Sequence, residues 1–422
     1  MLIEFSVSNF RSFRERQTLS MVAAPRLRKR ENVLTPVVNG EKLPDLLKVA
    51  AIYGPNASGK SNLLKALSVI PILIKAAPTT TNTIPVAPFR FDAELAAKPS
   101  RFEVNFIYAG RRYQFEFAAT SERIVEERLI SYPKGKECLL YERLFVEGQG
   151  DQYDFGTELE GGKELHVAWR RLTGPTSLFI SQAVANSSEE LQQLRLPFQW
   201  LSNGMFVISQ GMSTWAESAQ RLVGITPQLG AEVASFLQEV DVPVTSMRVI
   251  TRQADSEKEI LGISDTISDR VSAWQNSMVM KTTFTHRTAL GEADFSFDEE
   301  SEGTKGLIGF WLPWSVLGHA GGTFKMVAVD ELDSSLHPEI VAALIKKYHK
   351  YDDCAQLIFT THDTHLMDTK LLRRDQIWIT ERDVNGATQL RSIHDFDGRE
   401  SEDVEKRYFE GRYRGLPVLR AS

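Results

Sequence analysis

Residues Gly54, Pro55, Asn56, Ala57, Ser58, Gly59, Lys60 and Ser61 form a G-x-x-x-x-G-K-S octet. It is set between the apolar run Val49-Ala50-Ala51-Ile52-Tyr53 and the helix-forming stretch Asn62-Leu63-Leu64-Lys65-Ala66-Leu67. The context predicts a strand, a glycine loop and a helix in immediate succession. Backbone N–H groups of such a loop, together with the N-terminus of the new helix, can face a polyphosphate, which both the unpaired donors and the helix dipole favour. In that arrangement Lys60 reaches the β- and γ-phosphates, and the Ser61 hydroxyl is a ligand for Mg²⁺.

A chain of 422 residues, 42% apolar and 25% charged, has the balance of an ordinary globular protein with room for two to three folding units. Its net charge of −6 argues against a strongly electropositive surface, so composition gives no support to nucleic-acid binding, though DNA contact stays possible through a local groove. Cys138 and Cys354 have no metal-type spacing, and a reducing, cytoplasmic setting is the simplest reading. The start, Met1 to Val7, carries an acidic residue and alternates like a strand rather than reading as a signal peptide. The apolar stretch Gly306 to Gly322 falls short of the roughly 20 residues a spanning helix needs and contains Pro313 and His319. It is expected as a buried core helix, kinked or broken at Pro313, with no membrane partner.

Further along, Phe102 to Tyr108, Arg112 to Phe117 and Glu127 to Tyr132 alternate like antiparallel strands, and Ala109-Gly110-Arg111 can close the first hairpin. A Thr- and Pro-rich break, Pro78 to Pro88, precedes them. The basic run Arg26 to Arg30 reads as a solvated connection. Ser188 to Leu194 and Glu217 to Val240 suggest a helical middle without heptads. The last third returns to an α/β pattern.

Met326-Val327-Ala328-Val329-Asp330-Glu331 reads as a buried strand ending in two carboxylates. Asp330 is placed to hold Mg²⁺, and Glu331 to polarise an attacking water. Downstream, Thr360-Thr361-His362-Asp363 puts His362 at a strand end, on the side where open α/β sheets bind ligands, as a γ-phosphate contact. Between these landmarks Ser301-Glu302-Gly303-Thr304-Lys305 opens a helix. Ser301 and Gly303 can face phosphate there, or Ser301 or Thr304 can simply cap the helix.

The order of these segments resembles the ABC-type ATPase heads of the SMC, RecF and OLD group. More narrowly it is similar to the compact phage-defence ATPases of the RloA/AbiL kind, with the PARIS ATPase AriA as a close relative. Softer support comes from Pro88-Phe89-Arg90-Phe91-Asp92, Arg374-Asp375-Gln376-Ile377-Trp378 and Tyr408 to Pro417. The resemblance implies an α/β fold: an ABC-type P-loop head with a mixed central sheet and flanking helices, an antiparallel β lobe and an inserted helical region. Its divisions would be 1–77 (first part of the head), 78–185 (β lobe ending in a Q-loop), 186–290 (helical insertion) and 291–422 (second part of the head).

The resemblance also implies ATP as substrate, with Mg²⁺. Gln182, in Ser177-Leu178-Phe179-Ile180-Ser181-Gln182, becomes the Mg²⁺ or water sensor, Asn9 and Arg11 lie near the ribose or α-phosphate, and Asp333 falls in the D-loop. Ser301 and Gly303 would act in trans, which makes the enzyme slow as a monomer and dependent on a dimer or larger oligomer. Glu302 departs from the transporter-type signature, where glycine stands, and Lys305 can offset its charge. The implied role is a sensor and scaffold in abortive infection, with a phage protein as trigger and a separately encoded effector, a Toprim-type nuclease. The other reading is a DNA-repair ATPase of the RecF/SMC kind that clamps DNA on dimerisation.

Overall fold

The computed structural model describes residues 1–76, 83–209, 212–253, 278–317, 325–333, 336–351, 355–400 and 402–416. The chain divides into two units, one made of Met1–Ser209, Val316–Asp333 and Val341–Ser422, the other of Gln210–Ser315 and Ser334–Ile340. In chain order the strands and helices begin with β1 (Leu2–Ser8), β2 (Gln17–Ser20), β3 (Val33–Leu34), β4 (Leu46–Leu47), β5 (Val49–Tyr53), α1 (Lys60–Lys75) and α2 (Ala93–Ala96). Next come β6 (Ser100–Tyr108), β7 (Arg111–Ala119), β8 (Ile124–Ser131), β9 (Cys138–Val146), β10 (Gly150–Phe155), α3 (Gly162–Leu172), α4 (Phe179–Ala185), α5 (Gln192–Asn203) and β11 (Met205–Ile208). The middle holds α6 (Met212–Ile225), α7 (Leu229–Glu239), β12 (Val244–Gln253), β13 (Met278–Thr288), β14 (Gly291–Ser296) and α8 (Glu302–Leu317). The chain closes with β15 (Met326–Val329), α9 (Pro338–Tyr348), β16 (Gln356–Thr360), β17 (Ile377–Arg382), β18 (Thr388–Ser392) and α10 (Val404–Phe409).

Two large sheets build the first unit. One is antiparallel, in the order β10-β9-β8-β7-β6-β1-β2. Its alternation is visible in β6, where Phe102, Val104 and Phe106 point inward. Phe102 stacks on Phe117 of β7, directly opposite in register, and Phe106 stacks on Trp200 of α5. Ala109 and Gly110, both at positive φ, close the β6–β7 hairpin in two residues, the geometry whose twist suits a tight hairpin.

The other sheet runs β11-β15-β16-β5-β17-β18, parallel except for the β17–β18 pair. β5, β15 and β16 are buried at every residue, as strands covered on both faces must be, which explains their uninterrupted apolar sequences. Leu63, Leu67, Ile70 and Leu73 of α1 belong to one hydrophobic core that takes in both sheets as well as α4 and α5. The parallel strands all end on one edge of their sheet. There β16 lies between the phosphate-loop strand β5 and the carboxylate strand β15.

The second unit contains the antiparallel sheet β12-β13-β14 with α6, α7 and most of α8. This corrects the expected helical insertion 186–290: α5 and β11 belong to the first unit, and Val244–Gln253 and Met278–Ser296 are strands and their hairpin. The β-branched residues Val244, Thr245, Val249, Ile250 and Thr251 favour the extended chain there. The helical stretch expected over Glu217 to Val240 is made of two helices, parted at Thr226-Pro227, because proline lacks the donor an uninterrupted helix needs. α8 runs through Pro313 and buries Ile308, Phe310 and Trp311. Cys354, 318–322 of the apolar stretch and 78–82 of the Thr- and Pro-rich break lie outside the described residues, as do 210–211 and 254–277 of the expected helical insertion. Among the described residues no helix is long and apolar enough to cross a membrane.

Candidate functional site

Local chemistry shapes the phosphate loop first. Gly54 and Gly59 have φ of 147° and 108°, and a side chain at either would run into the β17–β18 hairpin: Thr380 behind Gly54, Thr388 behind Gly59. Those two threonines grip the loop. Thr380 Oγ1 lies 2.6 Å from Ser58 Oγ and donates to the Tyr53 carbonyl, while Thr388 Oγ1 donates to the Ser58 carbonyl at 2.8 Å. Thr388 Oγ1 also lies 2.8 Å from Ser12 Oγ, which accepts from Asn62 Nδ2 in the first turn of α1 at the same distance. The loop is thereby held in place by the hairpin and by Ser12.

Gly59 caps α1 without any side-chain acceptor, so the first N–H groups of a 16-residue helix take no side-chain cap. Lys60 is buried and donates to the carbonyls of Gly54 and Pro55 at 2.8 and 3.2 Å. Burial pushes its ammonium below the usual lysine range, and the nearby charges of Asp330, Glu331 and Asp333 push the other way. The helix end, the glycine cradle and a lysine held over the loop fit a polyphosphate. The Ser61 hydroxyl and the Asp330 carboxylate are the oxygen ligands there that suit Mg²⁺.

Across the sheet edge, Thr360 organises the carboxylates. Its hydroxyl donates to Asp330 Oδ1 at 2.6 Å and accepts from the Glu331 N–H at 2.7 Å. Glu331 has φ of 51°, a left-handed conformation uncommon for a residue with a side chain. The strand therefore stops there, and the exposed Glu331 side chain leaves the line of β15. His362, at the end of β16, donates its backbone N–H to Asp333 Oδ2 at 3.3 Å. Desolvation and then Lys60 push its imidazole below the ordinary value, against the pull of Asp333, Glu331 and Asp330. Lys60, Asp330, Glu331, Asp333 and His362 thus share one electrostatic neighbourhood at the edge where β5, β15 and β16 end.

Other expected residues lie elsewhere. Gln182 sits on α4 in the core, its Oε1 taking a bond from Asn186, and its neighbour Ser181 donates to the Ile74 carbonyl. Ile74 is in the last turn of α1, about 20 Å from Lys60 at ~1.5 Å per residue, so Gln182 is not a ligand at this edge. The segment beside Asp330 is the end of β11, whose Ile208 carbonyl accepts the Asp330 N–H at 2.9 Å. Ser209 follows it, and Gln210 lies outside the described residues.

Asn9 is also structural. Its buried amide donates to the carbonyls of Leu95, Lys98 and Pro99 and accepts from Phe89 N, which leaves it nothing for a nucleotide. Arg11 is exposed, at φ 50°, next to the Ser12 that touches the loop. In the second unit Ser301 caps α8: its Oγ accepts from Thr304 N at 3.1 Å, and Lys305 pairs with Glu302 at 3.0 Å. The capping reading accounts for that segment, with Gly303 in the first helical turn.

A glycine loop at a strand-to-helix turn, with paired carboxylates two strands away on the same edge, defines a P-loop nucleoside triphosphatase. The family model described as "AAA domain, putative AbiEii toxin, Type IV TA system" matches residues 49–368, and the chain belongs to that family. It is an ATP-binding AAA-type ATPase. None of the curated proteins matches it. Among solved structures it is similar to an SMC head bound to the C-winged helix domain of ScpA, with 12% identity and a TM-score of 0.42 over 93% of this chain and 97% of that one. It is also similar to the SMC head domain from Thermotoga maritima, with 14% identity and a TM-score of 0.40 over 93% of this chain and 98% of that one.

Proposed function

We propose that the chain is the ATP-driven sensor and scaffold subunit of a bacterial anti-phage defence system of the abortive-infection kind. It holds a separately encoded effector, a Toprim-type nuclease, and releases or activates it when a phage protein is encountered. The observation that carries the enzymatic part is the convergence of Lys60, Asp330, Glu331 and His362 on one sheet edge. The toxin system named in the family description supports the defence role. The acidic balance of the chain weighs against the DNA-clamping alternative.

In this reading Lys60 exchanges the Gly54 and Pro55 carbonyls for the β- and γ-phosphates, and the first amides of α1 bind the same group. Ser61 and Asp330 hold Mg²⁺, which supplies charge neutralisation on the phosphates. Glu331 accepts a proton from the water whose oxygen attacks the γ-phosphorus as the bond to the β–γ bridging oxygen breaks, giving ADP and phosphate. His362 donates a hydrogen bond to the γ-phosphate. Ser301 and Gly303 complete the site from a second copy, so ATP favours the closed dimer and hydrolysis releases it.

The test is purification of Glu331→Gln with ATP and Mg²⁺ from cells that also express the native gene neighbours. A second polypeptide in fixed stoichiometry supports the scaffold. An ATP-dependent dimer carrying DNA and no second polypeptide overturns it in favour of a DNA-clamping ATPase.

A further inference from the structure

Beside the phosphate loop stands an aromatic ring that neither fold nor catalysis explains. Phe91 is 73% exposed, although it follows closely on Phe89, which is fully buried and meets it edge to face at 5.7 Å. The Arg382 guanidinium lies 5.8 Å from the Phe91 ring centre. Gly386, at φ 79°, lets the β17–β18 turn come so close that a side chain there would meet both the ring and the guanidinium. The ring is therefore propped upright at the tip of the hairpin rather than folded onto the core.

That hairpin is the one that grips the phosphate loop. Arg382 and Thr388 face each other in its register, and Thr388 packs behind Gly59. Gly386 is two residues from Thr388, at most about 7 Å along the chain. The Phe91 segment is tied to the same place a second time: Ala87 accepts the Arg11 N–H at 2.7 Å, and the adjacent Ser12 bonds Thr388 and Asn62. The ring thus stands on the same hairpin that packs against Gly59.

We infer that Phe91, backed by Arg382, is the platform on which the base of a purine nucleoside triphosphate stacks. This rests on the reading of Gly54–Ser61 as the phosphate site and adds the other end of the ligand to it. An aromatic face supports any purine, and the guanidinium beside it adds a second planar, cationic surface. Stacking alone reads no hydrogen-bonding edge, so the platform favours ATP and GTP to similar degrees over bare polyphosphate.

Full-length parent, Phe91→Ala, Phe91→Tyr and Lys60→Ala proteins are titrated by calorimetry with ATP and, separately, inorganic tripolyphosphate. Phe91 is exposed, so its loss leaves the fold intact; far-UV circular dichroism checks this. The expected result is ATP affinity about tenfold lower in Phe91→Ala, the worth of one stacked base. Tripolyphosphate affinity is unchanged in that variant, Phe91→Tyr binds like the parent, and Lys60→Ala loses both ligands. Equal ATP affinity in parent and Phe91→Ala, with loss in Lys60→Ala, overturns the platform and keeps the phosphate loop. Unchanged binding in Lys60→Ala overturns the loop reading, and the platform with it.

Discussion

Replacing Thr360 by valine removes one hydroxyl and keeps the shape of a fully buried side chain. Asp330 loses the 2.6 Å bond it accepts, and the Glu331 N–H loses its 2.7 Å acceptor. A hydrogen bond to a charged group contributes about 1.5–3 kcal/mol and a neutral one about 1, discounted here because water can reach the half-buried amide. Together they destabilise the fold by about 2–3 kcal/mol, a large fraction of the 5–15 typical of a domain. A second effect follows from Glu331 at φ 51°, since such a backbone costs on the order of 1–3 kcal/mol and persists only while its surroundings hold it. Without the tether the segment relaxes and the carboxylate moves, so turnover at saturating ATP falls by about tenfold or more, roughly 1.4 kcal/mol of barrier. Urea unfolding followed by circular dichroism, and phosphate release at saturating ATP, are compared for parent, Thr360→Val and Thr360→Ser. The serine variant keeps the hydroxyl and most of both properties. A valine variant within about 0.5 kcal/mol of the parent, turning over like the serine variant, refutes the tether.

Asn9→Ala breaks an amide that bonds Phe89, Leu95, Lys98 and Pro99, so stability falls by about 2–3 kcal/mol while ATP affinity in calorimetry stays at the parent value. A loss of ATP affinity at unchanged stability would return Asn9 to the nucleotide. Lys60→Ala weakens ATP binding by at least about tenfold, because a buried cation aimed at the loop is removed; unchanged affinity removes the phosphate loop from the account. His349 is buried with its pKa lowered to about 3, first by desolvation and then by Lys48 and Lys29. A depressed folded value means the unfolded chain takes up a proton between pH 6.5 and 3 that the native protein refuses, so stability falls with pH in that window. From this residue the loss at pH 5 relative to pH 7 is about 2 kcal/mol. Urea midpoints measured across that range should flatten in His349→Gln, and an unaltered slope contradicts the assignment.

Parts of the site written into consecutive residues are legible in the sequence alone. A phosphate needs adjacent amides and a lysine at fixed spacing, which forces Gly54–Ser61 into one local pattern, and a fully buried parallel strand that ends in carboxylates leaves the signature seen ahead of Asp330. Thr360, Thr380, Thr388 and Ser12 carry no such mark. A threonine in a strand fits β-propensity without any function, and only the order β15-β16-β5-β17-β18 brings those hydroxyls to the loop and the carboxylates. Gln182 shows the limit most clearly. The pair Ser-Gln occurs at 181–182 and again at 209–210, and the family resemblance points to the first. That the strand leading to Ser209, and not α4, stands beside Asp330 is decided by β11 joining the parallel sheet, a long-range pairing with no local trace. The antiparallel strands are visible through their aromatic alternation, whereas the sheet of the second unit is hidden behind a neighbouring helical pattern.

The central claim, an ATPase whose base is Glu331 and whose site is completed by a second copy, meets its most direct test in the rate of phosphate release from ATP, measured per subunit over a range of protein concentrations with Glu331→Gln in parallel. The account predicts a parent rate per subunit that climbs with concentration and levels off, and a variant that binds ATP but releases almost no phosphate. A rate per subunit independent of concentration, together with a variant as fast as the parent, would contradict both the composite site and the assigned base.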